Sequence, residues 1–199
     1  SSQLSAIAEA YGQPFVYTLT GFKWIGRVRG LAYGYEEAIG YCVDPQAVPD
    51  KDGISALARL LTLASALKGQ GRSIPDRLDE IARRYGIYET DQLSLRVHDA
   101  KIIPAVMARL RATPPRMLAG QPTSIIDLAQ GTAELQPTDA VLITGEAIKV
   151  VVRPSGTEPK LKCYLETRRP AVDSADLAAA RAKARAMLAA IRAEMAVAI

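Results

Sequence analysis

The segment that most constrains the fold is Arg153-Pro154-Ser155-Gly156-Thr157-Glu158-Pro159. It lies between an apolar run, residues 148–152, and a stretch that alternates with Leu161, Cys163 and Leu165 on one face. An apolar β-branched run followed by period-two alternation predicts two strands. Two prolines and a glycine between them predict a tight loop. The loop also carries the parts needed to hold a phosphate dianion. Arginine offers two parallel N–H donors to two oxygens, and Ser155 and Thr157 each offer an O–H. Gly156 lets the backbone approach closely, or turn with positive φ so that successive N–H groups converge on an anion. Pro154 and Pro159 limit the loop's freedom, which lowers the entropy lost on binding. Each charge-assisted hydrogen bond is worth about 1.5–3 kcal/mol, so three or four suffice for selective capture of a phosphorylated small molecule. A tight turn with an exposed arginine is the plainer alternative.

Charge gathers where that chemistry requires it. The net charge is +4, yet residues 21–30 hold Lys23, Arg27 and Arg29 with no acid. Residues 149–169 hold six cations against Glu158 and Glu166. Two short stretches thus carry more than the whole excess, which suits a site that attracts a phosphorylated substrate rather than a nucleic acid. The last helix mixes Arg181, Lys183, Arg185 and Arg192 with Asp173, Asp176 and Glu194, a solvated face and not a nucleic-acid stripe. With 49% hydrophobic residues among 199, a buried core is within reach. No apolar run reaches membrane-span length and no leader precedes the first helix, so a cytoplasmic location without membrane contact is expected. Cys42 and Cys163 have no paired spacing and read as buried thiols of a reducing compartment. The single histidine, His98, argues against a His-rich zinc site or a Ser-His-Asp triad.

Along the chain, a helix is predicted around Leu4, Ile7, Ala8 and Tyr11 and ends at Gly12. Residues 15–19 alternate as a short strand, residues 20–25 open a helix, and residues 31–33 read as a brief strand ending in a loop from Gly34. A strong helix begins at Gly53, with Asp52 as its cap and Ile54, Leu57, Leu60, Leu61, Ala64 and Leu67 on one face. Ser73 caps another, with Pro75 in its first turn. Alternating strand and helix predict a parallel α/β layer in this half. The pattern changes near residues 86–89, a candidate hinge. Beyond it come a strand (93–97), a helix (101–112) and short strands near 124–128, 140–144, 147–152 and 161–167. Thr144-Gly145-Glu146-Ala147 reads as a hairpin turn. A final helix from about Ser174 turns Leu177, Ala180, Ala184, Leu188, Ile191 and Met195 inward. This half is expected to be α+β, an antiparallel sheet backed by helices.

Three further segments carry chemistry. Thr20-Gly21-Phe22-Lys23-Trp24 sets a lysine between aromatics just after a glycine. Gly34-Tyr35-Glu36-Glu37-Ala38-Ile39-Gly40-Tyr41 places two carboxylates between glycines, and carboxylates accept hydrogen bonds from pairs of sugar hydroxyls. Asp50-Lys51-Asp52-Gly53 looks at first like a calcium loop, but its twelfth position is Leu61 instead of Glu. Taken in order with the 153–159 loop, these segments resemble the α-D-phosphohexomutases, the phosphoglucomutase and phosphomannomutase superfamily.

The resemblance spans residues 21–166 and covers the third and fourth of that family's four domains. It implies a three-layer α/β/α domain at 1–88, incomplete at its start, and a smaller domain of antiparallel sheet and helices at 89–199. It implies a mutase that interconverts sugar 1-phosphate and 6-phosphate through a phosphoserine and a bisphosphate. Arg153, Ser155, Gly156 and Thr157 would hold the phosphate that is not reacting, and Glu36 with Lys23 would read the sugar. Ala38 departs from the serine that many members carry, and the Glu-Glu-Ala-Ile-Gly-Tyr form resembles a branch with phosphopentomutase-like members. The phosphoserine and the magnesium loop belong to the family's first two domains, so the chain is expected to hold no metal, to need a sugar bisphosphate activator and its missing N-terminal domains, and to be inactive alone. A stand-alone phosphosugar-binding module is the alternative.

Overall fold

In the computed structural model, which describes residues 1–36, 39–99, 101–156, 158–170 and 176–199, the chain divides into two units. One is residues 7–81; the other joins residues 1–6 to residues 82–199. The opening helix, α1 (Gln3–Ala10), forms where its periodicity places it, and Gly12, at φ 63°, ends it. Residues 13–19 belong to none of the three sheets. A strand's backbone groups need those of a neighbour, and none of the described strands runs beside them. The rings of Phe15 and Tyr17 instead meet edge to face at 4.7 Å.

A single turn, α2 (Phe22–Ile25), starts after Gly21, whose φ of 112° favours glycine. The expected strand arrives three residues late, as β1 (Gly34–Glu36), and pairs antiparallel with β2 (Gly40–Cys42). What reads as a loop is therefore a hairpin. Its glycines mark close packing: a Cβ on Gly34 would lie 2.4 Å from Ile25 Cγ2, and one on Gly40 2.5 Å from Phe22 Cε2. Helix α3 (Gly53–Gly69) is capped as expected, Asp52 accepting from Ile54 N at 3.1 Å and Ser55 N at 3.0 Å. Its apolar face is not buried: Ile54, Leu57, Leu60 and Leu61 are exposed and only Leu67 is covered. No parallel strand pair is present among the described residues, so the layer that such a face would pack on is not seen. Before α4 (Ile74–Tyr85), Ser73 N donates to Asp76 Oδ2 at 2.7 Å and Asp76 N to Ser73 Oγ at 3.3 Å, a reciprocal cap.

After Gly86, at φ 96°, come β3 (Ile87–Arg96), α5 (Ile102–Ala112), β4 (Met117–Leu118), β5 (Gln121–Pro122), β6 (Ser124–Asp127), β7 (Val141–Thr144), β8 (Ile148–Pro154), β9 (Lys160–Arg169) and α6 (Leu177–Ala198). Five of them form one antiparallel sheet in the order β3-β9-β8-β7-β6. Strand β3 starts six residues earlier than its alternation suggests. Glu89 and Asp91 are poor strand formers, but the ten-residue ladder from Ile87↔Arg169 to Arg96↔Lys160 outweighs their propensity. The turn after β7 closes with Gly145 N donating to Ile148 O at 2.9 Å. Ser174, the expected start of the last helix, lies outside the described residues; Asp176 caps α6 through Ala179 N at 2.8 Å.

One face of the sheet makes the core. Val150, Val152, Leu161, Cys163 and Leu165 meet Met107 and Leu110 of α5 and Leu188, Ile191 and Met195 of α6. By strand parity the opposite face carries Lys149, Val151 and Arg153 from β8 and Lys160, Lys162, Tyr164 and Glu166 from β9. At its far end the buried Glu166 Oε2 accepts from Ser2 N at 2.6 Å, tying residues 1–6 to β9.

Ile143 is fully buried. Ile143→Ala should lower the urea-unfolding free energy of this unit by about 2–5 kcal/mol, while Leu57→Ala on the exposed α3 face should change it by less than about 0.5 kcal/mol. Burial also pushes the Cys163 thiol from its ordinary 9.0 to about 12. The unfolded thiol ionises first, so its contribution is complete below pH 9 and declines between pH 9 and 12. The decline is about 1.4 kcal/mol per pH unit. Comparing wild type with Cys163→Ala by denaturant unfolding across that range should isolate this slope, and equal slopes would refute it.

Candidate functional site

The 153–159 segment takes in the last two residues of β8 and the connection to β9. Its ends are fixed by the backbone: Ser155 N donates to Lys160 O at 2.8 Å, and Val97 N to Pro159 O at 3.0 Å. Its carboxylate, Glu158, accepts from Arg96 at 2.9 Å and from Lys160 at 3.0 Å. The Lys160 ammonium, then Arg96 and Lys162, hold the Glu158 carboxyl below its ordinary value, so the loop's one described acid is already matched by cations. Arg153 stays half-buried on the open sheet face. Its Nη2 donates to the Tyr164 hydroxyl at 3.2 Å and its Nη1 to Pro154 O at 3.3 Å. Lys162 is its direct cross-strand partner.

Ser155 and Gly156 thus follow closely on Arg153 at the end of β8, and Thr157 lies outside the described residues. Gly156 does not take positive φ, and a Cβ there would meet nothing within 4 Å. The fold itself places no demand for glycine at this position. Beside the loop lies an open groove of about 450 Å³, lined among others by Ser155, Gly156, Asp139 and Glu158. Arg153 is not among its lining residues, and its two carboxylates are paired, Asp139 with Arg111 and Glu158 with Arg96 and Lys160. On the sheet face Arg153 stands across from Lys162, with Lys160 two residues along β9. Lys162 and Tyr164 were legible only as members of an alternating strand; what they share with Arg153 is a face, which the β8–β9 register fixes.

The second group sits in residues 7–81. Lys23 is exposed on α2, its ammonium 5.4 Å from the Trp24 ring centroid, while Phe22 beside it is buried. Glu36 ends β1 opposite Gly40. The ring of Phe22 and the Glu36 Cγ both crowd Gly40, at 2.5 and 3.1 Å from where its Cβ would be, so the lysine turn and the carboxylate strand pack on a shared point. Lys51 adds a second cation, its ammonium 5.5 Å from the Phe22 ring centroid. Glu37 and Ala38 lie outside the described residues. Among the described residues no group of three or more His, Cys, Asp or Glu side chains is placed to hold a metal ion, and no helix is long and apolar enough to cross a membrane.

Comparison with known proteins agrees with this architecture. Residues 1–85 match the sequence model of phosphoglucomutase/phosphomannomutase, alpha/beta/alpha domain III, and residues 94–184 that of the C-terminal domain of the same enzymes. A probable phosphomannomutase of Haemophilus influenzae is 43% identical over 169 residues, covering 84% of this chain and 34% of that protein. A mouse phosphopentomutase is 35% identical over 196 residues, covering 85% and 32%. The chain spans about a third of the length of these relatives. The open form of the Paramecium phosphoglucomutase pp63/parafusin superposes with a TM-score of 0.65 at 16% identity, over 96% of this chain and 36% of that one, which shows the fold. With an α/β domain III followed by an antiparallel-sheet domain IV, the chain belongs to the phosphoglucomutase/phosphomannomutase superfamily.

Proposed function

We propose that this chain supplies the substrate-holding half of a phosphosugar mutase, with domain III at 1–88 and domain IV at 89–199. The observation that carries the reading is the 153–159 loop, pinned at both ends, its acid neutralised and its arginine held on a basic sheet face. Arg153, Ser155, Gly156 and Thr157 hold the phosphate that is not reacting. Gly156 supports this, since with no packing or positive φ to require glycine, the remaining use of a bare backbone is close approach by a ligand. Glu36 accepts from sugar hydroxyls and Lys23 supplies a cation beside them. These residues contribute positioning and electrostatics, the larger part of what phosphoryl transfer asks of a protein.

In the whole mutase a phosphoserine donates its phosphoryl group to one sugar hydroxyl, and the bisphosphate then returns the other phosphoryl group to the serine. The phosphoserine, the magnesium site and the binding of a bisphosphate activator are not assigned to residues of this chain. The exposed apolar face of α3 supports a role within a larger assembly, and two buried free thiols suit a cytoplasmic enzyme. The substrate read most directly from the relatives is a hexose phosphate such as mannose phosphate. A pentose phosphate is the second reading, favoured by the phosphopentomutase relatives.

Titration with glucose 1-phosphate, mannose 1-phosphate and ribose 1-phosphate, followed by amide NMR, tests the assignment. Shifts should cluster at Ser155 and Gly156, vanish in Arg153→Ala, and rank the sugars at Glu36. Shifts elsewhere, or shifts that survive Arg153→Ala, would overturn it.

A further inference from the structure

We propose that Tyr164 is the positioning residue of Arg153, and that phosphate capture by the 153–159 loop depends on a phenol one strand away; the proposal rests on the phosphate-loop reading above. The register pairs Tyr164 with Val151 and Arg153 with Lys162. Tyr164 and Arg153 are therefore diagonal neighbours on one sheet face, a spacing that long and aromatic side chains bridge. The phenol oxygen accepts from Arg153 Nη2 at 3.2 Å, and the guanidinium carbon lies 5.5 Å from the ring centroid, where the ring's quadrupole attracts a cation. The second terminal nitrogen, Nη1, is tied to Pro154 O at 3.3 Å. Two nitrogens anchored in different directions leave a planar group no free rotation.

The anchoring has a cause in the local electrostatics. Lys162 stands directly across from Arg153, and like charges at a cross-strand pair repel. Without Tyr164 the arginine would swing away from the lysine toward water, and the two cations would no longer converge on one anion. The hydroxyl takes one N–H and leaves others. Among the described residues, Arg153 Nε is buried and has no hydrogen-bond partner. That donor is closed to solvent, so what the hydroxyl and Pro154 O leave for an anion is the second N–H of each terminal nitrogen. Tyr164 thus acts through Arg153, by setting the plane in which its remaining donors point.

The test is side-chain NMR of arginine guanidinium groups, together with titration by inorganic phosphate, on wild type, Tyr164→Phe, Tyr164→Leu, Arg153→Ala and the Arg153→Ala/Tyr164→Phe double variant. The Arg153 Hη signals should be distinct in the wild type and merge in Tyr164→Phe, while the amide spectrum of the core is retained. The Kd for phosphate should rise roughly three- to ten-fold in Tyr164→Phe and further in Tyr164→Leu, which loses the ring as well. In the Arg153→Ala background Tyr164→Phe should add nothing. Unchanged Hη signals, a Kd within two-fold of wild type in Tyr164→Phe, or additive effects in the double variant would each overturn the proposal. If Arg153→Ala itself leaves phosphate affinity unaltered, the loop reading fails and the dependence of capture on Tyr164 fails with it, while merged Hη signals would still show that the phenol orients Arg153.

Discussion

Everything in the larger unit hangs on the pairing of β8 with β9. Seven residue pairs, from Ile148↔Thr167 to Pro154↔Leu161, do two jobs at once. On one side they set Val150, Val152, Cys163 and Leu165 into the core with α5 and α6. On the other they align Arg153, Lys162, Tyr164 and Lys160 on one surface. A slip of one residue would exchange the two faces and put the cations into the core. The apolar core therefore enforces the geometry of the candidate phosphate site, and the register cannot drift without losing the burial that stabilises the sheet.

Much of this was readable before any coordinates. The alternation of Leu161, Cys163 and Leu165 has period two and bounds a segment with two prolines and a glycine, so strand and loop were both visible. The final helix was equally plain, because its inward positions recur at helical spacing. The places where reading the chain went astray share a physical reason. Residues 15–19 alternate but lack a neighbouring strand, and residues 87–92 alternate poorly but have one. Strand formation is decided by the partner, which local pattern does not contain. In the same way Gly34 and Gly40 look like loop punctuation, yet they mark where a hairpin presses on Ile25 and Phe22.

The candidate site was legible as a parts inventory and illegible as an arrangement. Arginine, serine and glycine announce anion binding by composition. That the Tyr164 hydroxyl accepts from the arginine, and that Arg96 and Lys160 pair with Glu158, are facts of register and reach. The groove beside the loop is lined by Asp139 and Glu158 and not by Arg153, which lies on the neighbouring sheet face.

The contact between Ser2 and Glu166 has a bearing on how the chain assembles. It joins residues 164 positions apart, among the longest loops this chain can close. Residues 1–6 leave the ribosome well before their acceptor on β9 exists, so during synthesis they must wait, undocked, while residues 7–81 begin to organise between them. Closing so long a loop early would cost conformational entropy with nothing yet formed to offset it. The Ser2–Glu166 contact therefore closes only once β9 has been made, 164 residues after Ser2.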